Sequence, residues 1–171
     1  MGSYDFGKDS ICRWIYDHFI DDPTFVLDVG ACDGKWRRLL RRPPYIMDAV
    51  EIYEPYAKRL EGYRNVFAMD ICELQYDWYD LIIFGDVIEH MSVEKAQYAL
   101  EYAKPRCFDM IVAVPFLYEQ GPVDGNEWQR HIQDDLTSEL FDERYPGFEP
   151  LYIDLRYQYC YYHLANRHIY S

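Results

Sequence analysis

The sequence predicts an α/β protein built on a doubly wound β-sheet with helices on both faces. Over the first two thirds of the 171 residues, short apolar runs typical of buried strands alternate with stretches of helical periodicity. Four of these runs also carry an acidic residue at or next to their ends: Asp28, Glu51, Asp70 and Asp86. Ligands of such sheets bind outside the carboxyl ends of the strands, so we expect a ligand site at that edge.

Five helices are predicted from the spacing of apolar residues and from capping signals. They are residues 8–20, a stretch that begins at Lys35, and residues 55–62, 92–103 and 134–144. The first belongs to an N-terminal segment, residues 1–22, and Asp-Asp-Pro at residues 21–23 stops this helix. Pro55 suits the start of the third helix, Gly62 its end, and Ser92 the cap of the fourth.

Seven runs are predicted to be strands. They are residues 25–29, 45–52, 65–69, 79–85, 107–114, 148–155 and 157–164. The last two are joined too closely for a crossover helix, so we expect this pair to be antiparallel. Residues 115–133 have no clear periodicity, and a loop this long predicts a segment that covers a substrate.

Length and composition predict one domain over residues 1–171 and exclude several classes of function. The net charge of −13 would repel a phosphate backbone, so no nucleic acid partner is expected. The apolar runs are too short to span a bilayer and no secretory leader opens the sequence, so neither a membrane partner nor secretion is expected. Five cysteines without a C-x-x-C motif favour reduced thiols in a cytoplasmic protein. The oligomeric state is left open.

Glycines at positions 30 and 34 mark the turn between the first strand and the second helix. Bare backbone at such a turn, followed by a helix N-terminus, favours an anion or a cofactor. A dinucleotide fingerprint would need glycines where Cys32 and Lys35 stand, so an NAD-dependent reductase is disfavoured. The pattern Asp28-x-Gly30-x-x-x-Gly34 instead resembles the first motif of the class I S-adenosylmethionine-dependent methyltransferases, with Cys32 in place of their usual middle glycine.

Two later segments extend this resemblance over most of the chain. Residues 85–90, Gly-Asp-Val-Ile-Glu-His, are similar to the D-x-x-E-H segment of the small-molecule methyltransferases. His131, with residues 136–140, Leu-Thr-Ser-Glu-Leu, and Gly147-Phe148, is similar to the segment before their sixth strand. The resemblance implies a Rossmann-like sheet of seven strands with the last antiparallel, and S-adenosylmethionine as the cofactor.

The predicted cofactor site combines local chemistry with this resemblance. Glu51 follows Gly30 by 21 residues at a strand end, where a carboxylate can accept hydrogen bonds from both hydroxyls of a ribose. The resemblance implies that Asp70 meets the adenine amino group and that Ile71 packs on the ring. It also implies that Asp28 and Gly30 hold the methionine end. The remaining cofactor contacts expected are Ala31, Cys32, Gly34, Ile52, Asp86 and Val87.

The implied reaction is methyl transfer to a small-molecule or glycan-like acceptor. His90 and His131 are the candidate catalytic bases, because an imidazole titrates near neutral pH. An alternative hypothesis takes both histidines with Asp86 and Glu89 as ligands of a divalent metal. No strict spacing motif supports it, so no metal is expected. Another alternative is a non-catalytic S-adenosylmethionine- or nucleoside-binding module or partner subunit, which Cys32 and the compact length favour.

Overall fold

The computed structural model describes residues 6–19, 24–41 and 44–166, and seven strands form one sheet at its centre. The strands are β1 (Thr24–Val29), β2 (Tyr45–Val50), β3 (Asn65–Phe67), β4 (Tyr79–Gly85), β5 (Cys107–Pro115), β6 (Glu149–Asp154) and β7 (Tyr159–Ala165). Their order is β3-β2-β1-β4-β5-β7-β6. β7 is antiparallel to both of its neighbours, and the other pairs are parallel. The predicted doubly wound sheet with an antiparallel last strand is confirmed.

Five α-helices accompany the strands. They are α1 (Lys8–His18), α2 (Lys35–Leu39), α3 (Glu54–Ala57), α4 (Val93–Ala103) and α5 (Ser138–Arg144), with short 3-10 turns at Ile88–His90, Lys104–Arg106 and Glu127–Gln129. The longest, α1 and α4, have 11 residues each. Within the described residues, none is long and apolar enough to cross a membrane.

Several predicted bounds are corrected by local hydrogen bonding. The helix expected over residues 55–62 is only Glu54–Ala57, because the bonds beyond it contract to three-residue spacing, as between Leu60 N–H and the Ala57 carbonyl. The helix expected from residue 134 begins at Ser138, where the Thr137 side chain accepts from the Leu140 N–H. Strands β2 and β3 are two residues shorter than expected. The predicted stop at residues 21–23 lies outside the described residues.

Each face of the sheet buries its own apolar cluster, which is why helices are needed on both. One cluster joins the sheet to α1 and α2 through Ile15 and Trp36, and the other joins it to α4 and α5 through Leu100 and Phe141. Successive residues of β7 enter the two clusters alternately, as the period of two of a strand requires. The sheet is therefore a two-sided core whose carboxyl edge remains available for a site.

The strand order places a crevice between β1 and β4. From β1 the chain builds β2 and β3 on one side, and then crosses to build β4 and β5 on the other. At such a switch point the loops that follow the two central strands diverge, and ligands bind between them. Here these loops are residues 30–34 after β1 and the segment from Asp86 after β4.

Candidate functional site

A cavity of about 780 Å³ opens at the carboxyl ends of β1, β2 and β4. Small-molecule sites typically have volumes of about 300–1,000 Å³. Most residues predicted to bind the cofactor or to act in catalysis line this cavity: Gly30, Ala31, Cys32, Glu51, Ile52, Asp70, Ile71, Asp86, Val87, His90 and His131. Asp28 and Gly34 are not among the lining residues.

The turn after β1 is shaped by its contact with Val87. Gly30 has φ 69°, and a Cβ added there would lie 2.3 Å from a Val87 methyl carbon. The N–H groups of Gly30 and Ala31 both donate to the Val50 carbonyl, at 2.8 and 3.2 Å, which fastens the turn to the end of β2. Cys32 has a left-handed φ of 50°, and burial raises the pKa of its thiol to about 11. The middle position of the motif therefore holds a protonated, half-buried thiol.

Asp28 and Gly34 support the turn and are not among the residues that line the cavity, so their direct contact with a ligand stays a prediction. The Tyr63 hydroxyl donates to Asp28 Oδ2 at 2.5 Å, and Asp28 is only 1% exposed. Burial raises the pKa of Asp28 from 3.8 to about 7, although the Tyr63 hydrogen bond acts to lower it. Gly34 has φ 73° directly before α2, where a Cβ would lie 3.3 Å from Leu60. Both residues shape the loop from beneath.

Glu51 joins the glycine turn to the segment after β2. Its Oε2 accepts from the Cys32 N–H and its Oε1 accepts from the Tyr53 N–H, both at 2.8 Å. Burial raises the pKa of Glu51, although the two N–H donors act to lower it, and the residue is 5% exposed. Each carboxylate oxygen has two acceptor positions, so two further donors can bind from the cavity side.

Asp70 already has a partner inside the cavity, and sequence analysis missed it. The Lys95 ammonium, in the first turn of α4, forms an ion pair with Asp70 Oδ2, and the Cys72 N–H donates to Oδ1 at 3.0 Å. Burial acts to raise the pKa of Asp70, but Lys95 and Cys72 hold it below its usual value. A ligand amino group would therefore have to share this carboxylate with Lys95.

Asp86 is held by two further residues that sequence analysis missed. It has φ 59°, and the Tyr159 hydroxyl donates to its Oδ1. Lys8 Nζ lies 3.7 Å from its Oδ2. Lys8 is 1% exposed, and its Nζ lies 5.2 Å from the ring centre of Trp36 and 5.9 Å from that of Tyr161. A buried cation thus lies beneath the carboxylate that follows β4.

The sequence contains signals for both missed partners of Asp86. Lys8 precedes Ile11 and Ile15 at helical spacing, so it belongs to the buried face of α1 although it is charged. Tyr159 and Tyr161 alternate along β7 and share one face of the sheet. A cation and a hydroxyl on apolar faces predict a buried polar partner, because such groups are rarely left without one.

The rings of His90 and His131 lie side by side in the cavity wall. Their centres are 4.7 Å apart and their planes make an angle of 74°. His90 Nδ1 lies 3.0 Å from the Arg130 carbonyl oxygen, and His131 Nδ1 lies 2.7 Å from that of Tyr118. A carbonyl oxygen only accepts, so each Nδ1 carries the hydrogen and each neutral ring keeps its lone pair on Nε2. Burial lowers the pKa of His90 to about 4 and also lowers that of His131.

Glu89 lies beside these imidazoles and is 1% exposed. Neither of its carboxylate oxygens has a hydrogen-bond partner within the part of the chain that the structure describes. Burial, followed by the nearby Asp86 carboxylate, raises the pKa of Glu89 well above its usual value. Its backbone carbonyl accepts from the N–H groups of Ile132 and Gln133, at 2.8 and 3.0 Å, which fastens the end of the long loop to the segment after β4.

The loop of residues 115–133 contributes one wall of the cavity. Tyr118 and Trp128 line it, whereas Phe116 packs against the core. Gln120 closes the loop on itself: its side chain donates to the Gln129 carbonyl at 2.6 Å, and its own carbonyl accepts from the His131 N–H at 2.9 Å. The position of the loop at the cavity is compatible with a role in covering a substrate, and that role remains a prediction.

The site can bind an elongated ligand with different chemistry at its two ends. At one end the Glu51 carboxylate can accept hydroxyl donors, and Ile52, Met69 and Ile71 offer apolar surface to a flat ring. At the other end, neutral imidazoles lie beside a buried carboxylate, next to the wall of residues 115–133.

Comparisons with known proteins match this chain only through its fold. No protein-family model matches, and no curated protein matches by sequence. A solved S-adenosylmethionine-dependent methyltransferase from Clostridium acetobutylicum is similar with a TM-score of 0.71 and 13% sequence identity, over 95% of this chain and 92% of that one. Magnesium protoporphyrin IX methyltransferase from Synechocystis, solved with bound S-adenosylhomocysteine, has a TM-score of 0.62 and 16% identity, over 95% of this chain and 88% of that one.

A third similar structure contains an acceptor as well. The 1,6-didemethyltoxoflavin-N1-methyltransferase of Burkholderia thailandensis was solved with 1,6-didemethyltoxoflavin and S-adenosylhomocysteine. Its TM-score is 0.65 at 17% identity, over 94% of this chain and 78% of that one. At these identities the similarity concerns architecture, and it agrees with the strand order and the antiparallel β7. The chain therefore has the fold of the class I S-adenosylmethionine-dependent methyltransferases.

Proposed function

We propose that this chain is an S-adenosylmethionine-dependent methyltransferase that acts on a small-molecule acceptor. The observation that carries the proposal is the position of Glu51, a carboxylate at the end of β2 that lines the cavity beside the glycine turn. Similar folds solved with S-adenosylhomocysteine support the choice of cofactor. The small molecules in the names of the similar enzymes, 1,6-didemethyltoxoflavin and magnesium protoporphyrin IX, support a small molecule over a macromolecule.

In this proposal the described residues bind and orient the cofactor along the cavity. Glu51 accepts hydrogen bonds from the ribose hydroxyls with the acceptor positions that Cys32 and Tyr53 do not use. Ile52 and Ile71 pack against the adenine ring, and the adenine amino group shares Asp70 with Lys95. The turn at residues 30–32 borders the methionine end.

The cofactor supplies a methyl group on a positively charged sulfur, which one displacement step transfers. The residues of this chain position the acceptor in line and exclude water, effects that amount to about 7–11 kcal/mol in well-oriented systems. Tyr118, Trp128 and the loop around them form the acceptor wall. The Nε2 lone pair of His131 takes the acceptor proton, and His90, whose pKa burial lowers to about 4, is the weaker of the two candidate bases.

Thermal unfolding with and without the cofactor tests the proposal. S-adenosylmethionine or S-adenosylhomocysteine at about 100 times its Kd should add about 2.7 kcal/mol to the free energy of unfolding. For a chain of this size the midpoint should rise by about 5–10 °C. NAD and NADP are the controls, and neither should shift the midpoint. If neither S-adenosylmethionine nor S-adenosylhomocysteine changes the midpoint of thermal unfolding, the proposal is contradicted.

The alternative is a non-catalytic module that binds the same cofactor without turnover. The pairing of Asp70 with Lys95 favours it, because an adenine amino group has to compete with Lys95 for that carboxylate. His131→Ala separates the two functions. In an enzyme it should lower turnover by about 10²–10⁴-fold, the contribution of a positioned acid or base, and leave cofactor affinity unchanged. Calorimetry with S-adenosylhomocysteine and a methyl-transfer assay over a panel of small acceptors measure the two quantities. A folded protein that binds the cofactor but methylates none of the panel would support the binding module.

A further inference from the structure

Three potential metal ligands converge in the cavity wall. Glu89, His90 and His131 each offer one ligand atom, and these atoms all lie within 4.8 Å of one another. Two of the residues are adjacent in the 3-10 turn after β4, and the third ends the loop of residues 115–133. The Glu89 carbonyl accepts from the Ile132 N–H, so a backbone hydrogen bond holds the two segments together.

Glu89 is the unusual member of this cluster. It is 1% exposed, and both of its carboxylate oxygens lack a hydrogen-bond partner among the described residues. A buried carboxyl group without a hydrogen-bond partner is costly even when it is protonated, so native structures rarely keep one unless it binds something. The nearby Asp86 differs in part: the Tyr159 hydroxyl donates to its Oδ1, and its Oδ2 has no hydrogen bond but lies 3.7 Å from Lys8 Nζ.

The two imidazoles are oriented as metal ligands usually are. Metal-binding histidines commonly donate their second ring N–H to a carboxylate or a backbone carbonyl, which fixes the tautomer and the ring. Here the Arg130 carbonyl fixes His90 through Nδ1, and the Tyr118 carbonyl fixes His131 in the same way. Each ring therefore keeps the Nε2 lone pair for a ligand.

We propose that Glu89, His90 and His131 bind one divalent transition-metal ion in the cavity. Two imidazoles and one carboxylate suit zinc, iron(II), cobalt or nickel better than magnesium or calcium, which prefer oxygen ligands. Ligand atoms at about 2.1 Å from one ion lie about 3–3.5 Å apart, so a separation of up to 4.8 Å would shorten by up to about 1.3–1.8 Å on binding. Coordination positions that the protein does not fill face the cavity.

The ion adds a second way to activate an acceptor. An acceptor hydroxyl bound at an open position is polarised by the metal, so its O–H bond breaks more easily and the proton passes to solvent water. In the metal-bound protein the two Nε2 lone pairs hold the ion and do not act as bases. The site itself does not rest on the proposed methyl transfer, since binding is measured without cofactor or acceptor.

Metal binding is tested on protein without a histidine tag, after dialysis against a chelator. Titration with zinc in a calorimeter and with cobalt in an absorption spectrometer should each give one equivalent. His90→Ala, His131→Ala and Glu89→Gln should each weaken the affinity at least 10-fold. His18→Ala is the matched control: this exposed imidazole also bonds a backbone carbonyl, through Nδ1 to Trp14 O, but belongs to no such cluster. It should leave the affinity unchanged.

The imidazole nitrogen whose chemical shift changes on adding zinc distinguishes metal ligation from a structural effect of the substitutions. In long-range proton–nitrogen spectra, zinc should shift Nε2 of both cavity histidines and leave each Nδ1 protonated. Circular dichroism of each variant confirms that it folds. Absence of stoichiometric binding at millimolar metal, a thiolate-to-cobalt absorption band, or equal affinity in wild type and Glu89→Gln would overturn the proposal. Failure here leaves the cofactor experiment unaffected, because that experiment is performed in the presence of chelator.

Discussion

Glu51 shows how one side chain can serve both the fold and a ligand. Its two oxygens hold the N–H groups of Cys32 and Tyr53, and thereby the turn after β1 and the segment after β2. The sequence offset from Gly30 predicted a strand-end carboxylate facing the ligand. It could not predict the bond from the Cys32 N–H, because that contact joins two loops 19 positions apart.

Replacing Glu51 should weaken cofactor binding more than it weakens the fold. Hydrogen bonds to a charged group contribute about 1.5–3 kcal/mol each, so Glu51→Ala should raise the Kd for S-adenosylhomocysteine by at least about 10-fold. Glu54→Ala, which removes a nearby exposed acid paired with Lys58, is the control and should leave the Kd unchanged. Calorimetry measures both. Equal affinity in the wild type and Glu51→Ala would remove Glu51 from the site.

Asp28 should make stability depend on pH in the direction unusual for a carboxylate. Its pKa is raised to about 7, so between about pH 4 and 7 the folded chain holds a proton that the unfolded chain releases. The free energy of unfolding therefore falls as pH rises through this window, by at most about 1.4 kcal/mol per pH unit from this group. The contribution of Asp28 to the free energy of unfolding is fully present below about pH 4 and is lost as the pH rises through about 7.

Urea unfolding at several pH values measures this dependence. Asp28→Asn should remove that part of the slope, whereas Tyr63→Phe should extend it to higher pH, because the Tyr63 hydroxyl lowers the pKa of Asp28. If the free energy of unfolding changes with pH in the same way in the wild type and in Asp28→Asn, the proton bound to Asp28 does not cause the pH dependence. Cofactor is omitted, so only the fold is measured.

At the scale of elements, helix and strand positions followed from the sequence better than their lengths. The apolar periods located α1, α4 and every strand of the sheet, since burial on two faces requires them. The bounds depended on single hydrogen bonds that periodicity does not encode, such as the Thr137 cap that delays α5. The ion pair between Lys95 and Asp70 was also beyond sequence analysis, because it joins α4 to the loop after β3.

The cap of α4 gives a measurable test at this scale. Ser92 Oγ accepts from the Lys95 N–H at 3.3 Å, and removing such a cap costs about 1 kcal/mol. Ser92→Ala should therefore lower the unfolding midpoint by about 2–4 °C without cofactor. Ser10→Ala is the matched control, since Ser10 lies within α1 and its side chain does not cap a helix. Equal midpoints for the two variants would show that the cap contributes nothing.

At the scale of the whole molecule, topology assembled the candidate site from distant parts of the chain. Lys8 from the first helix and Tyr159 from the last strand meet at Asp86 after β4. Sequence motifs found Asp86 because it follows a strand, and the sheet order then placed it opposite the glycine turn. They did not find its partners, because the buried positions of Lys8 and Tyr159 show that each needs a polar partner but not which residue, more than 70 positions away, supplies it.

The position of β7 between β5 and β6 has a consequence for synthesis on the ribosome. β6 pairs with no strand other than β7 among the described residues, yet it is made first. When residues 149–154 have been translated, the free edge of β5 cannot receive them in the native order. Residues 149–154 can pair natively only after residues 159–165 have been synthesised. When β7 then pairs with β5, Tyr159 also reaches Asp86. β7, the last of these seven strands to be made, thus completes the sheet and supplies the hydroxyl that holds Asp86 at the cavity.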